Sequence, residues 1–389
     1  MMRTGGLQLS RDVINRRVRE LKPSGIRRFF ELIIGREDVI SLGVGEPDFS
    51  VPWRIREEMI YSLEKGITSY TSNYGLFELR EAIAEYYRKF GVESTHDNVF
   101  ITTGVSEGID LALRAVINPG DRVLVPEPTY VSYRPLAHIA GAEVIPIPTD
   151  PEFKITYDDL VRFRNEKIKA VMLNYPNNPT GVSLRKREIE EIADAVNELD
   201  CLVISDEIYA ELSYNFRHFS IAALDGMFER TIVLNGFSKG FAMTGMRVGY
   251  VIAPEEILDA MVKIHQYSML CAPVTAQIGA LEALKNGEEE LERMRSEYMR
   301  RRNFFVRRLR ELFDVVMPDG AFYAFPNVSS TGLNGEEFAE KLLIEKNVAV
   351  VPGDAFGECG GNYVRCAYAV SMEKLKIAVE RMEELVNSS

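Results

Sequence analysis

Cysteine and histidine are scarce in this 389-residue sequence, with four of each. The cysteines, at positions 201, 271, 359 and 366, form no CxxC pair, and the histidines are scattered without the spacing of a zinc site. This usage is typical of a reduced, intracellular protein and argues against a disulfide framework. No metal site is therefore expected.

Long apolar segments and an excess of positive charge are also missing. No apolar run approaches the roughly 18 to 20 residues needed to cross a bilayer, and the N-terminus lacks the apolar core of a signal peptide. The formal net charge of −12 argues against nucleic-acid or membrane-surface partners, which usually meet clustered basic residues. The arginines at 293–310 follow several glutamates on one predicted helix, which indicates a solvated helix face. A cytoplasmic protein is expected.

The rest of the composition is that of an ordinary globular protein, with 46% hydrophobic and 27% charged residues. Between residues 52 and 285, helical stretches alternate with short apolar runs, a pattern typical of a mostly parallel α/β sheet covered by helices on both faces. The runs predict seven strands, at residues 99–101, 122–125, 144–147, 170–173, 202–204, 231–234 and 248–252.

The length of the chain favours more than one domain. Residues 1–46 are predicted to form an N-terminal arm and part of a small domain, and residues 47–285 a large domain. Residues 286–389 are predicted to form the rest of a small α+β domain. It would begin with a long helix and contain short strands at 321–325 and 348–351 and a terminal helix at 372–387.

One lysine stands in a setting that ordinary packing does not require. Lys239 lies in the glycine-containing segment 236–249, just beyond a predicted strand, where open α/β sheets place their ligand sites. Arg247 follows after the bend that Gly245 permits, so both cations could face one cavity. Lysine forms Schiff bases with carbonyl compounds, and arginine binds phosphate through paired hydrogen bonds. Pyridoxal phosphate would use both, although a single lysine is more often a surface residue.

Polar groups also follow the ends of other predicted strands, which meet at one edge if the sheet is parallel. Residues 103–107 form a glycine turn before a helix, where N–H groups and Ser106 could bind a phosphate or simply cap the helix. Tyr130 could face a flat ligand or pack in the core. Asn178 and Asp206 follow two further strands, where a turn and a helix cap are the simpler explanations. Their recurrence at successive strand ends favours a ligand site.

Four motifs taken together resemble the class I and II aminotransferases of fold type I, which use pyridoxal phosphate. They are Ser-Leu-Gly-Val-Gly-Glu-Pro-Asp-Phe at 41–49, Asn-Asn-Pro-Thr-Gly at 177–181, Ser-Asp-Glu-Ile-Tyr at 205–209 and Phe-Ala-Met-Thr-Gly-Met-Arg at 241–247. The resemblance runs from about residue 24 to the end of the chain. It looks nearest to the archaeal and bacterial aspartate and aromatic aminotransferases.

The resemblance implies roles around the cofactor ring. Lys239 forms the Schiff base with pyridoxal phosphate and, once displaced by the substrate amine, moves the proton between the α-carbon and the cofactor. Asp206 pairs with the pyridine nitrogen. Asn178 and Tyr209 donate to the ring hydroxyl oxygen, and Tyr130 stacks on the ring.

Further matches imply a phosphate site and a substrate site. The phosphate ligands would be the amides of Val105 and Ser106, the Ser106 hydroxyl, Arg247 and, across the interface of a homodimer, the partner's Tyr70. Many relatives carry a serine at the position of Gly236, so Ser238 and the remaining donors are expected to suffice. Arg365 would bind the substrate α-carboxylate together with the Gly45 amide.

The implied activity is a ping-pong transfer of the α-amino group of an L-amino acid, with aspartate or an aromatic amino acid favoured, to a 2-oxo acid, expected to be 2-oxoglutarate. A carbon–sulfur β-lyase is the alternative, because the same site chemistry serves both reactions. A non-catalytic regulator that binds pyridoxal phosphate is a remote alternative. Segment 23–26 is expected to close over the substrate. For the residue that reads the substrate side chain, the hypotheses are Arg27, Arg28, Tyr70, Tyr74 and Phe322.

Overall fold

The computed structural model describes residues 13–21, 36 and 38–388. Segment 23–26 and the arginines Arg27 and Arg28 lie outside these residues. So does most of the predicted arm, of which the described part includes helix α1 (Arg16–Glu20).

Twelve strands are present in the described residues. They are β1 (Ile40–Ser41), β2 (Val99–Thr102), β3 (Arg122–Glu127), β4 (Glu143–Pro148), β5 (Ile168–Asn174), β6 (Leu202–Asp206), β7 (Thr231–Gly236), β8 (Gly249–Ile252), β9 (Tyr323–Ala324), β10 (Val348–Ala349), β11 (Val351–Pro352) and β12 (Val364–Ala367). The further α-helices are α2 (Trp53–Glu64), α3 (Phe77–Tyr87), α4 (Val105–Val116), α5 (Tyr133–Ala140), α6 (Tyr157–Val161), α7 (Lys186–Leu199), α8 (Glu255–Ser268), α9 (Val274–Asn286), α10 (Glu288–Leu309), α11 (Gly335–Lys346) and α12 (Met372–Asn387).

Seven strands form the central sheet, in the spatial order β2-β8-β7-β6-β5-β3-β4. Strand β8 is antiparallel to both neighbours, and the other six strands run in one direction. All seven predicted strands and the mostly parallel α/β fold are therefore confirmed. Strand β7 continues past the predicted run to Gly236, because Gly236 pairs with Gly249 of β8.

Burial explains why the strands were visible in the sequence. Every residue of β2, β7 and β8 is buried, so these strands appear as continuous apolar runs. Strand β4, at the edge of the sheet, is only partly buried. The covering helices instead bury a single stripe, as α7 does with Ile189, Ile192, Ala193 and Val196.

The C-terminal part of the chain builds smaller sheets. Strands β11, β12 and β9 form an antiparallel sheet, and β1 pairs in parallel with β10. The predicted strand 321–325 is shortened to Tyr323–Ala324. The predicted strand 348–351 is divided at Val350, because β10 pairs with β1 whereas β11 pairs with β12. The predicted terminal helix corresponds to α12.

The described residues contain no helix that combines the length and the apolar character needed to cross a membrane. Within the same residues, no three or more His, Cys, Asp or Glu side chains are grouped so that they could hold a metal ion. The four cysteines are free thiols, of which Cys201 and Cys366 are buried.

Candidate active site

A cavity of about 740 Å³ is lined by residues that follow the carboxyl ends of β2, β5, β6 and β7. Parallel strands bring these ends to one edge of the sheet, which is why residues distant in sequence meet there. The predicted site residues that line the cavity are Gly45, Val105, Ser106, Tyr130, Asn178, Asp206, Tyr209, Ser238, Lys239, Arg247 and Arg365.

One corner of the cavity concentrates positive charge. Helix α4 begins at Val105, and its first turn presents backbone N–H groups at the cavity. The guanidinium of Arg247 packs closely against Gly104 in the turn before this helix. A Cβ on Gly104 would lie only 2.4 Å from Arg247 Nη2, so no larger residue fits there. Gly104 also has a φ of 77°, which favours glycine. A guanidinium beside the positive end of a helix is repelled unless an anion lies between them, so this corner fits a phosphate.

Asp206 supplies a buried carboxylate at the end of β6. The Tyr133 hydroxyl donates to its Oδ2 at 2.6 Å, and the Ile208 amide donates to its Oδ1 at 3.1 Å. Burial raises the pKa of Asp206 to about 6, against the lowering effect of these hydrogen bonds and of Lys239. A cationic partner such as a protonated pyridine nitrogen would favour the charged carboxylate.

Lys239 supplies an amine to the cavity. Its Nζ donates a hydrogen bond to the carbonyl oxygen of Gly45 at 2.6 Å. The pKa of Lys239 is lowered to about 8, mainly by burial and also by Arg365 and Arg247, whereas Glu46 and Asp206 act in the opposite direction. A large fraction of the amine is therefore neutral just above physiological pH, as attack on an aldehyde requires.

Arg365 is a buried guanidinium held in a fixed position. Its Nη1 donates to Asn178 Oδ1 at 2.8 Å, and its Nη2 donates to the Gly43 carbonyl oxygen at 2.7 Å. Its guanidinium carbon lies 4.6 Å and 4.8 Å from the ring centroids of Tyr323 and Phe356. Within the described part of the chain, its buried Nε has no hydrogen-bond partner. A fixed cation with an unused N–H suits a carboxylate ligand.

The same contact orients Asn178. Because its oxygen accepts from Arg365, its amide nitrogen is left as the donor toward the cavity. A donor is what the predicted hydrogen bond from Asn178 to the ring hydroxyl oxygen of the cofactor requires. The backbone amide of Asn178 in turn donates to Asn174 Oδ1 at 3.0 Å, which ties the loop to the end of β5.

Sequence reasoning missed several polar residues that line the cavity, among them Tyr133, Tyr323 and Asn174. Tyr133 binds Asp206, and the Tyr323 hydroxyl lies 2.7 Å from that of Tyr209. The Asn174 side-chain amide donates to the Asp206 carbonyl at 3.1 Å. Only Asn174 carried a usable signal, as a polar residue that closes an apolar strand. The two tyrosines carried no such signal, and Tyr323 lies within the predicted strand 321–325.

Tyr70 does not line the cavity of its own chain and is 81% exposed. Its predicted role requires a second subunit and stays a prediction. Tyr74 and Phe322, the other aromatic hypotheses for the substrate side chain, do not line the cavity either. The Tyr74 hydroxyl donates to Asp259, and Phe322 is fully buried.

Residues 37–382 match the family model described as aminotransferase class I and II. The chain belongs to the class I and II aminotransferases. It is 46% identical over 374 residues to an aspartate aminotransferase of Pyrococcus abyssi, with 94% of this chain and 96% of the relative covered. It is 43% identical over 378 residues to an aromatic-amino-acid aminotransferase of Thermococcus litoralis, with 95% and 97% covered.

A solved aromatic aminotransferase from Pyrococcus horikoshii has a similar fold, with a TM-score of 0.88 and 46% identity over 93% of this chain and 99% of that one. Class I and II aminotransferases use pyridoxal phosphate on the type I fold. This chain is accordingly a transaminase that uses that cofactor, as the sequence predicted. The anion-attracting corner, the buried carboxylate and the lysine fit the cofactor.

Proposed function

We propose that this aminotransferase moves the α-amino group of an aromatic L-amino acid to 2-oxoglutarate by a ping-pong mechanism. The observation that carries the proposal is the convergence of Lys239, Asp206, Arg247 and Arg365 on one cavity. These groups provide an amine, a carboxylate for a pyridine nitrogen, and two cations for two separate anions. Aspartate is the second candidate donor, since a relative of similar identity is an aspartate aminotransferase.

Residues at the sheet edge would hold pyridoxal phosphate by its two ends. Its phosphate would be bound by the amides of Val105 and Ser106, the hydroxyls of Ser106 and Ser238, and Arg247. Its ring nitrogen would be bound by Asp206. Asn178 and Tyr209 donate to the ring hydroxyl oxygen, while Tyr130 covers a ring face. When bound, the cofactor supplies an electron sink for the carbanion that forms at the substrate α-carbon.

Arg365 and Lys239 act on the substrate itself. Arg365 binds the α-carboxylate through its unused N–H, and the Gly45 amide adds a second donor. This would fix the α-carbon next to Lys239, whose neutral Nζ would take the α-proton and deliver it to the cofactor. The carbonyl of Gly45, which accepts a hydrogen bond from Lys239, supports the amine in the position from which it acts.

The charges of the cavity favour an aromatic donor. Among the described lining residues, the cations are Lys239, Arg247 and Arg365, and each already has a partner in the proposed complex. An aromatic side chain requires no fourth cation, whereas the distal carboxylate of aspartate, like that of the acceptor 2-oxoglutarate, would have to be met by a group beyond these lining residues. The lining also offers Val131 and Tyr323 as apolar and aromatic surface.

The proposed assembly is a cytoplasmic homodimer in which Tyr70 reaches the phosphate of the partner's cofactor. Large apolar side chains are exposed on two segments, 53–70 and 267–270, here named the apolar face. The Asn73 side chain, three residues beyond the first segment, donates to the Leu270 carbonyl at 2.7 Å. The exposed large apolar side chains, with Tyr70 at 81% exposure, support burial against a second copy.

The proposed domains are residues 1–46 with 286–389, and residues 47–285, which the β1–β10 pairing supports.

A single-turnover experiment tests the reaction. The purified enzyme, loaded with pyridoxal phosphate, is mixed with phenylalanine in the absence of an acceptor. We expect one equivalent of oxo acid and conversion of the cofactor to its amine form, and 2-oxoglutarate should reverse the spectral change. A parallel reaction with a cysteine thioether, which carries the β-leaving group that phenylalanine lacks, tests the alternative: steady release of ammonia, pyruvate and the thiol would indicate a β-lyase. Steady-state assays with phenylalanine, tyrosine and aspartate then rank the donors, and a higher kcat/KM for aspartate would replace the aromatic assignment without affecting the transaminase one.

A further inference from the structure

The carboxylate of Asp206 has one side-chain donor in the described part of the chain, the hydroxyl of Tyr133. The O···O distance of 2.6 Å is that of a charge-assisted hydrogen bond. Tyr133 is 1% exposed and is the first residue of α5, so its position is set by the packing of that helix. Its ring meets the ring of Tyr130 edge to face, with centroids 5.5 Å apart. A fixed phenol thus connects the predicted ring-stacking residue to the predicted ring-nitrogen partner.

The neighbouring acid does not compete for this hydroxyl. Glu207 follows Asp206 in the chain, but its oxygens accept hydrogen bonds from Tyr87, Ser205, His218 and Ser220 at 2.7–2.9 Å. Glu207 is therefore fixed in a separate buried network, where its charge opposes ionisation of Asp206. The hydrogen bond from Tyr133 works against this opposition.

We propose that Tyr133 is a positioning residue, whose hydroxyl keeps the Asp206 carboxylate ionised and directed at the ring nitrogen of bound pyridoxal phosphate. The inference rests on the proposed function of Asp206. It assigns Tyr133 a role through Asp206 and no contact with the reacting atoms. The ring of Tyr133 packs in the core, whereas its hydroxyl acts on the cofactor site through Asp206. Tyr133→Phe therefore removes the second contribution and keeps the first.

The charged and titratable groups that act on Asp206 define the expected pH dependence. They are Tyr133 from α5, Glu207, which follows Asp206 in the chain, Lys239 beyond β7, and Tyr209. The Ile208 amide is a fixed hydrogen-bond donor to Asp206. Burial raises the pKa of Asp206 to about 6, and the hydrogen bond from Tyr133 lowers it. Removal of the hydroxyl leaves the burial unchanged and removes a donor to the charged form, so the pKa should rise further.

The test is the affinity of the apoenzyme for pyridoxal phosphate as a function of pH. For Tyr133→Phe we expect binding at pH 7 to weaken by about tenfold or more, the usual effect of a lost hydrogen bond to a charged group. The deficit should shrink as the pH rises, because Asp206 then ionises without help. A cofactor analogue with carbon in place of the ring nitrogen should bind the variant and the wild type equally. The matched control is Tyr175→Phe, which removes another buried hydroxyl whose partners are backbone groups of Phe153 and Ile155.

Equal weakening for pyridoxal phosphate and the carbon analogue, a pH-independent deficit, or no deficit in a folded variant would each overturn the proposal. If Tyr133→Phe fails to fold, 3-fluorotyrosine at position 133 keeps the ring and strengthens the donor. The pH midpoint of cofactor binding should then fall, and an unchanged midpoint contradicts the proposal. Should the wild type itself bind the carbon analogue as tightly as pyridoxal phosphate, the assigned role of Asp206 fails, which is a separate result.

Discussion

At the scale of single residues, Lys239 shows how surroundings select one amine among many. Two partly buried lysines, Lys239 and Lys89, have pKa values lowered to about 8, mainly by loss of solvation. Only Lys239 lies in the cavity with Asp206 and Arg365. A depressed pKa therefore makes an amine nucleophilic, but the groups around it decide whether that amine meets the cofactor.

The rate at which the apoenzyme combines with pyridoxal phosphate should follow the neutral form of Lys239. Because its pKa is lowered to about 8, the neutral fraction increases as the pH rises through 8. The neutral fraction of a free lysine side chain in water increases only near a pH of about 10.4. Stopped-flow absorbance between pH 6.5 and 9.5 measures this rate. Lys239→Ala should abolish the covalent signal and Lys89→Ala should preserve it, and a wild-type midpoint near 10 would contradict the assignment.

The packing around Gly236, three residues before Lys239, argues against a serine at this position. A Cβ at this position would lie 2.9 Å from the Gly249 Cα and 3.3 Å from a methyl carbon of Val105. Gly236→Ser should therefore force β7 away from β8 and from the first turn of α4. We expect a loss of about 1–3 kcal/mol in the free energy of unfolding, as for other overpacked sites.

Thermal melts of Gly236→Ser with and without pyridoxal phosphate measure this effect. Cofactor binding should weaken as well, because Val105 is one of the proposed phosphate donors. Gly361→Ser is the control, since its Cβ would meet only the Glu358 carbonyl oxygen, at 3.8 Å. A stable Gly236→Ser protein that binds the cofactor more tightly would show that the added hydroxyl outweighs the crowding.

At the scale of elements, the loop that carries Gly45 is fastened to helix α10. Arg301 of α10 donates to both carboxylate oxygens of Asp48, at 2.8 Å and 2.9 Å, and to Glu297. Arg301 is 6% exposed, whereas Asp48 is exposed, so only the guanidinium end of this ion pair is removed from water. The pair holds the loop relative to Arg365, the proposed ligand of the substrate carboxylate, whose Nη2 donates to the Gly43 carbonyl.

Arg301→Gln should loosen this loop and affect the substrate more than the cofactor. We expect a loss of about 0.5–1.5 kcal/mol in stability, because Asp48 loses a donor but stays accessible to water. The KM for the amino acid should rise while the affinity for pyridoxal phosphate stays unchanged. Arg300→Gln is the matched control, because the Arg300–Glu297 pair is exposed and should contribute little to stability. Equal effects of the two substitutions would remove the assigned role of Arg301.

The elements of the large domain could be predicted because burial imposes a simple pattern on them. Continuous apolar runs gave all seven central strands, and the parallel arrangement implied that Asp206 and Lys239 would lie at one edge. The two-residue strands near the C-terminus were less visible, because so short an element has no periodicity to detect. The hydrogen bond from Tyr133 to Asp206 could not be predicted, since it depends on how α5 packs against α4, β3 and β4. Spacing along the chain carries no information about that packing.

At the scale of the whole molecule, Tyr70 and the apolar face predict that one chain cannot complete its own site. Tyr70 is 81% exposed and lies outside the cavity that the other predicted residues line. If it reaches the partner's phosphate, Tyr70→Phe and Lys239→Ala damage the same site from different subunits. In a mixed dimer, one site would carry both defects and the other site would carry neither.

Subunit complementation tests this arrangement. Lys239→Ala and Tyr70→Phe proteins, each of low activity alone, are mixed in equal amounts under conditions that allow dimers to exchange. Random reassociation makes half of the dimers mixed, and each mixed dimer has one intact site, so about a quarter of the wild-type activity should return. The same recovery is not expected when Arg365→Lys replaces Tyr70→Phe, because Lys239 and Arg365 line the cavity of one chain and a mixed dimer then contains no intact site. Recovery in the second mixture alone, or a first mixture no more active than the average of its parents, would show that Tyr70 does not act across the interface.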